Sequence, residues 1–172
     1  MELCKYFGKC GGCELQNIEY KKQLEIKRKK IEKLLNVERI KLFAANPFFY
    51  RNRMDFAVSK EGLGLKKKGK WDQIVKIDEC SISNQKINML AKEIQQIVRR
   101  IEPFDEKTKN GALKGVVIRA PRYSSSVSFV LNKDYEKLKE AEKEIEESAK
   151  KISAENILIT YVPRERPVSV SE

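Results

Sequence analysis

Histidine is missing altogether from this 172-residue chain, tryptophan occurs once, and cysteine only four times. Without an imidazole, the side chain most often used as a general base near neutral pH is unavailable. No stretch approaches the roughly 20 consecutive apolar residues of a membrane helix, and the opening "MELCKYFGKC" has no apolar core of the signal-peptide kind. These absences predict a cytoplasmic protein with no membrane partner. Internal repeats and low-complexity segments are lacking too.

Charge, by contrast, is plentiful: 36 lysines and arginines face 25 carboxylates, for a net +11, and 35% of residues are ionic against 41% apolar. Such a chain can bury one real core beneath a densely charged surface. The prominence of lysine and glutamate is a weak mark of heat adaptation. A strong positive excess suits a polyanion, because each neutralised phosphate releases a condensed counterion. Nucleic acid is therefore expected ahead of a membrane surface.

Hydrophobic spacing supplies the elements. "LQNIEYKKQLEIKRKKIEKLLN" reads as a helix with Leu24, Ile31 and Leu35 on one side. Met54, Phe56 and Val58 alternate with polar residues, then a glycine-punctuated turn leads to a second alternating run through Ile74 and Ile77. Ile87, Leu90, Ile94, Ile97, Val98 and Ile101 recur at helical spacing until Pro103 stops them. A polar connection over 105–111 precedes two strands, "LKGVVIRA" and "SSSVSFVL", separated by Pro121. A helix opened by Asp134 follows, with Leu138, Ala141, Ile145 and Ile152 facing inward, and "NILITYV" closes as a strand. The predicted fold is α+β: an antiparallel sheet flanked by helices, with an N-terminal cysteine-rich cluster loop. The expected division is a cysteine loop over 1–16, a central domain over 17–163 and a connector over 164–172.

Cys4, Cys10 and Cys13 lie within ten residues, and Cys80 ends the distant run "VKIDEC". In a reducing compartment, three thiols in a polar, glycine-rich loop point to a metal rather than to disulfides. Zinc also accepts four thiolates, but structural zinc sites usually show two short cysteine pairs. Three cysteines together and one remote favour an iron–sulfur cluster. Gly8, Gly11 and Gly12 suit a loop that must turn sharply and bring N–H groups near sulfur.

"CKYFGKCGGCELQNIEYKKQLEIKRKKI" resembles the S-adenosylmethionine-dependent RNA uracil-5-methyltransferases, which make 5-methyluridine in rRNA or tRNA. The family pattern of Cys, "CGGC", "LQ", Tyr and "QL..K" is present at Cys4, Cys10 to Cys13, Leu15, Gln16, Tyr20, Gln23, Leu24 and Lys27. "FFYRNRMDFAV" is similar to the family's YRNR strand, "IDECSI" to the segment with its fourth cluster ligand, and "LKGVVIRA" to a central-domain strand. The resemblance implies a 4Fe-4S cluster on Cys4, Cys10, Cys13 and Cys80, and a domain that helps hold RNA beside a separate catalytic domain.

That chemistry needs a cysteine to add to the uracil ring, a base, and a glycine-containing turn for the methyl donor. All four cysteines are assigned to metal, and "GLGLKKKGK" runs into lysines rather than a helix. The chain is thus expected to hold no catalytic residue and to meet S-adenosylmethionine only through a catalytic domain that it lacks. The alternative is a stand-alone RNA-binding protein with a structural 4Fe-4S or zinc site.

For RNA, the segment from Arg51 to Lys76 sets eight basic side chains against three carboxylates, interleaved with Phe56 and Trp71. Its expected contacts are Tyr50, Arg51, Arg53, Lys66, Lys67, Lys68 and Lys70. Arg51 and Arg53 would share one strand face, while Phe56 and Trp71 could equally be core. Arg119 and Arg122, flanking Pro121, are further candidates, and the acidic helix after Asp134 should face away from RNA.

Overall fold

The computed structural model describes residues 3–166, so the last part of the expected connector, 167–172, lies outside the described residues. In chain order the elements are α1 (Tyr20–Leu35), β1 (Arg53–Ser59), β2 (Gly62–Lys67), β3 (Lys70–Lys76), α2 (Gln85–Arg100), β4 (Leu113–Arg119), β5 (Ser126–Asn132), α3 (Leu138–Ala149) and β6 (Asn156–Val162). The strands form one six-stranded sheet in the order β3-β2-β1-β4-β5-β6. None of the described helices is long and apolar enough to cross a membrane.

The sheet is mixed, which corrects the expectation of a purely antiparallel one. Every pairing from β3 to β5 is antiparallel, but β6 runs parallel to β5 along its whole length, from Ser126↔Asn156 to Asn132↔Val162. The cause is the intervening α3: a parallel neighbour requires a crossover, and a helix of this length provides one.

Helix α2 supplies most of the core. Ile87, Leu90, Ile94 and Val98 are fully buried and pack across β1, β2 and β4. Asn84 caps its start, accepting a 2.9 Å bond from the Ile87 N–H. Apolar residues of the strands, among them Met54, Phe56, Leu113, Val116, Ile118, Val127, Phe129 and Leu131, join the same cluster, as do Ala141 and Ile145 of α3.

Two boundaries differ from the sequence reading. α3 begins at Leu138 rather than at Asp134, because the Asp134 carboxylate accepts from the Arg164 N–H at 2.8 Å instead of capping a helix. Gly62, Leu63 and Gly64 belong to β2 and are buried, so the glycine turn of the sequence reading contains a strand, with reversals on either side of it at 60–61 and at Gly69 (φ +71°). Gly64 is required there: a Cβ would overlap the Val75 carbonyl oxygen and the Ile74 side chain on β3.

A clasp holds the end of the fold. The buried Lys114 ammonium donates to the carbonyls of Pro163 (3.0 Å), Arg164 (2.9 Å) and Arg166 (2.6 Å), and lies 4.4 Å from the Phe104 ring centroid. Burial pulls its pKa below the ordinary lysine value, while three carbonyls fill its three donors. Lys114→Met is expected to cost about 1–3 kcal/mol, the range for stranding buried polar groups. Chemical denaturation would read that loss, and trypsin should cut after Arg164 faster than in the parent chain.

Candidate metal centre and basic cleft

The cysteine loop is stitched to the β2–β3 hairpin. The Gly11 N–H donates to the Lys66 carbonyl at 2.9 Å, the Lys68 N–H to the Lys9 carbonyl at 2.8 Å, and Cys10 bridges Lys67 as a short antiparallel rung. A Cβ at Gly11 would sit tightly against Lys66 O at 3.3 Å. Farther back, the Asp78 carboxylate accepts from Lys5 Nζ (2.9 Å) and Tyr6 Oη (2.8 Å), contacts that hold its pKa below the usual range. Gln16 Oε1 receives the Cys4 N–H at 3.2 Å.

Cys80 is positioned from the other side. The Asn88 side chain on α2 accepts from the Cys80 N–H at 3.0 Å and donates to the Cys80 carbonyl at 3.1 Å. Asn88 is buried within the apolar face of the helix. Sequence reasoning missed it, although a polar residue one place after Ile87 on that face was the visible signal.

All four cysteines therefore line one cleft of about 720 Å³. Burial pushes the Cys10 and Cys13 thiols up, the neighbouring cysteines add to the rise, and nearby Arg51 opposes it. The Gly12 N–H points at Cys10 Sγ at 3.3 Å. Among the described residues, no three acidic or sulfur side chains converge closely enough for a single metal ion. Four thiolates on one zinc, at about 2.3 Å each, would need such convergence.

The same cleft is walled by Arg51, Arg53 and Lys66 to Lys68. Arg51 stands outside β1, in a bridge to Ser83, whereas Arg53 is forked onto Asp55 at 2.8 and 3.0 Å. Arg119 is the cross-strand partner of Arg53 on β4, beside but not lining the cleft. Tyr50 faces a second cleft, with Phe48 and Lys27. Lys70 and Arg122 line neither. The aromatics divide: Phe56 is core, Trp71 is 71% exposed. Tyr123, 86% exposed with Arg122 stacked 5.3 Å above it, is a flat surface that the sequence reading passed over beside Pro121.

The loop, the remote cysteine and the sheet together invite comparison with known proteins. No protein-family model matches the chain. It is 39% identical over 128 residues to a tRNA (uracil(54)-C(5))-methyltransferase of Pyrococcus abyssi, covering 72% of this chain and 31% of that protein. A 23S rRNA (uracil(747)-C(5))-methyltransferase of the same organism is 27% identical over 124 residues. Its homologues are RNA uracil-C5 methyltransferases. The crystal structure of the Pyrococcus abyssi tRNA (uracil-54, C5)-methyltransferase in complex with S-adenosyl-L-homocysteine superimposes with a TM-score of 0.72 at 29% identity. The match covers 95% of this chain and 39% of that one. The chain thus spans about a third of the length of the curated methyltransferases it matches.

Proposed function

We propose that this chain is the iron–sulfur and RNA-docking part of a uracil-5-methyltransferase acting on tRNA or rRNA, without catalytic activity of its own. One observation carries the reading: four thiols from two separate regions rim one cleft, and that cleft is walled by Arg51 and the lysines of the β2–β3 hairpin. Cys4, Cys10, Cys13 and Cys80 would hold a 4Fe-4S cluster, whose chemistry here is to cross-link the loop at 1–16 to the domain at 17–163. Residues 164–172 would lead toward a catalytic domain that binds S-adenosylmethionine. With every thiol committed to metal, the nucleophile must come from that domain.

The test is methyl transfer. The chain with methyl donor and RNA should bind RNA and transfer nothing, and joining it to the S-adenosylmethionine-binding part of a homologue should restore transfer. Turnover by the chain alone would overturn the reading.

The hairpin lysines are expected to supply phosphate contacts. Replacing Lys66, Lys67 and Lys68 together by alanine should reduce the slope of log affinity against log salt by about 2, at roughly 0.7 per lost single-strand contact. Arg51→Ala should weaken binding more than Arg53→Ala, since the Arg53 guanidinium is already engaged by Asp55. Fluorescence titration at several salt concentrations reads both.

A further inference from the structure

The turn between β4 and β5 carries the most exposed large apolar side chain among the described residues, Tyr123 at 86%. The turn stands on a fixed base. At one end the buried Ala120 donates its N–H to the Asn52 carbonyl at 2.8 Å, and its own carbonyl accepts from Asn84 Nδ2 at 2.6 Å. At the other, the hydroxyl of buried Ser125 bonds to the Glu155 carboxylate, and the Ser125 carbonyl accepts from the Asn156 N–H at 3.1 Å. Only 121–124 lie exposed between these anchors, and Pro121 restricts φ at their start. The Arg122 guanidinium sits 5.3 Å from the centre of the Tyr123 ring, within cation–π range. With so much of the ring exposed, the opposite side is open to solvent.

This tip rises beside the cysteine cleft. Asn52 lines that cleft between Arg51 and Arg53, and Asn84, which holds Ala120, also donates its N–H to the Arg51 carbonyl at 2.9 Å. Three residues span at most roughly 11 Å, so the Tyr123 backbone lies within that reach of the Ala120 anchor. A protein partner would call for a continuous apolar patch, whereas the ring's chain neighbours are Arg119, Arg122 and Ser124. A flat aromatic face among cations, in a chain of net charge +11, suits a base still joined to its phosphate.

We infer that Tyr123, backed by Arg122, is a stacking platform for one unpaired base of the RNA whose backbone enters the basic cleft. The inference rests on the RNA-docking function proposed above and adds to it a contact with a base rather than with phosphate. Every base has a π-face, so the platform selects unpaired RNA over duplex and not one sequence over another.

Three ligands test this: a short oligouridylate, the same strand made abasic, and a fully paired RNA duplex, each titrated by fluorescence anisotropy at several salt concentrations. Tyr123→Ala should weaken oligouridylate binding at least about fivefold, the lower end of what one stacked base contributes. The salt slope should not change, because no charge is lost. Tyr123→Phe keeps the ring and should stay within about twofold of the parent chain. Neither substitution touches the core, and neither should alter binding of the abasic strand or the duplex. Parent affinity for oligouridylate in Tyr123→Ala, or an equal loss on the abasic strand, overturns the inference and leaves the docking function standing on its lysines. So does a Tyr123→Phe variant as weak as Tyr123→Ala, which would assign the contact to the hydroxyl. Self-association of the chain that Tyr123→Ala abolishes while RNA affinity holds would make the ring a protein contact and overturn the inference too. A parent chain that binds none of the three RNAs removes the docking function and the inference with it.

Discussion

Replacing Cys80 by serine is expected to take the chain from about four irons to fewer than one, with sulfide lost in parallel. Cys80 is the single candidate ligand outside the loop, and an open-sided cluster bound by three clustered thiolates is exposed to solvent and oxidant. The sheet should survive. Loop and hairpin remain joined through Gly11, Lys66, Lys68 and Lys9, and Asn88 still brackets the backbone at position 80. The variant should therefore keep its circular dichroism, melt at a lower temperature and lose its visible absorbance, because ligation free energy is part of folding free energy. Iron, acid-labile sulfide and zinc assays after anaerobic purification decide the matter. Full iron in the variant would end the four-ligand assignment, and one zinc per parent chain would replace the cluster with a zinc staple.

Gly64→Ala is expected to destabilise the fold by about 3 kcal/mol, the upper end of what overpacking costs. The added methyl would meet the Val75 carbonyl and the Ile74 side chain, and backbone cannot swing aside as a flexible side chain can. β3 would have to leave β2, taking with it the hairpin whose Lys66 and Lys68 fasten the cysteine loop. The substitution should thus lower iron occupancy although no ligand has changed. Urea unfolding and an iron assay on the same preparation measure the two effects. A normal melting curve with normal iron would show that β3 has no part in seating the loop.

Much of this was legible in the chain because it depends on local pattern. The 3.6-residue period of Ile87, Leu90 and Ile94, and the alternation of Met54, Phe56 and Val58, report which side of each element is buried, and the folded protein buries those residues. Strand direction is different in kind. Nothing in "NILITYV" records whether it lies parallel or antiparallel to its neighbour, since that depends on where α3 returns the chain. Gly64 misled for a related reason: glycine favours turns locally, but here it answers the close approach of another strand, while Gly62, at φ +113° just after the β1–β2 turn, makes room for Gln95 of α2. At the site, the motif grouped the loop cysteines with Cys80, and all four do line one cleft, whereas the Asn88 bracket and the Arg53–Asp55 fork are long-range or side-chain pairings that spacing cannot encode.

The grip of Asn88 on Cys80 also sets an order of assembly. The backbone that carries the fourth thiol is held by α2, an element of the central core, and so takes its place when the sheet condenses, with no help from inorganic ions. On the proposed function, maturation would then run from a finished scaffold to a loaded one. Any donor of a cluster would meet a socket rather than an unfolded ribbon, and the chain without metal should already be compact.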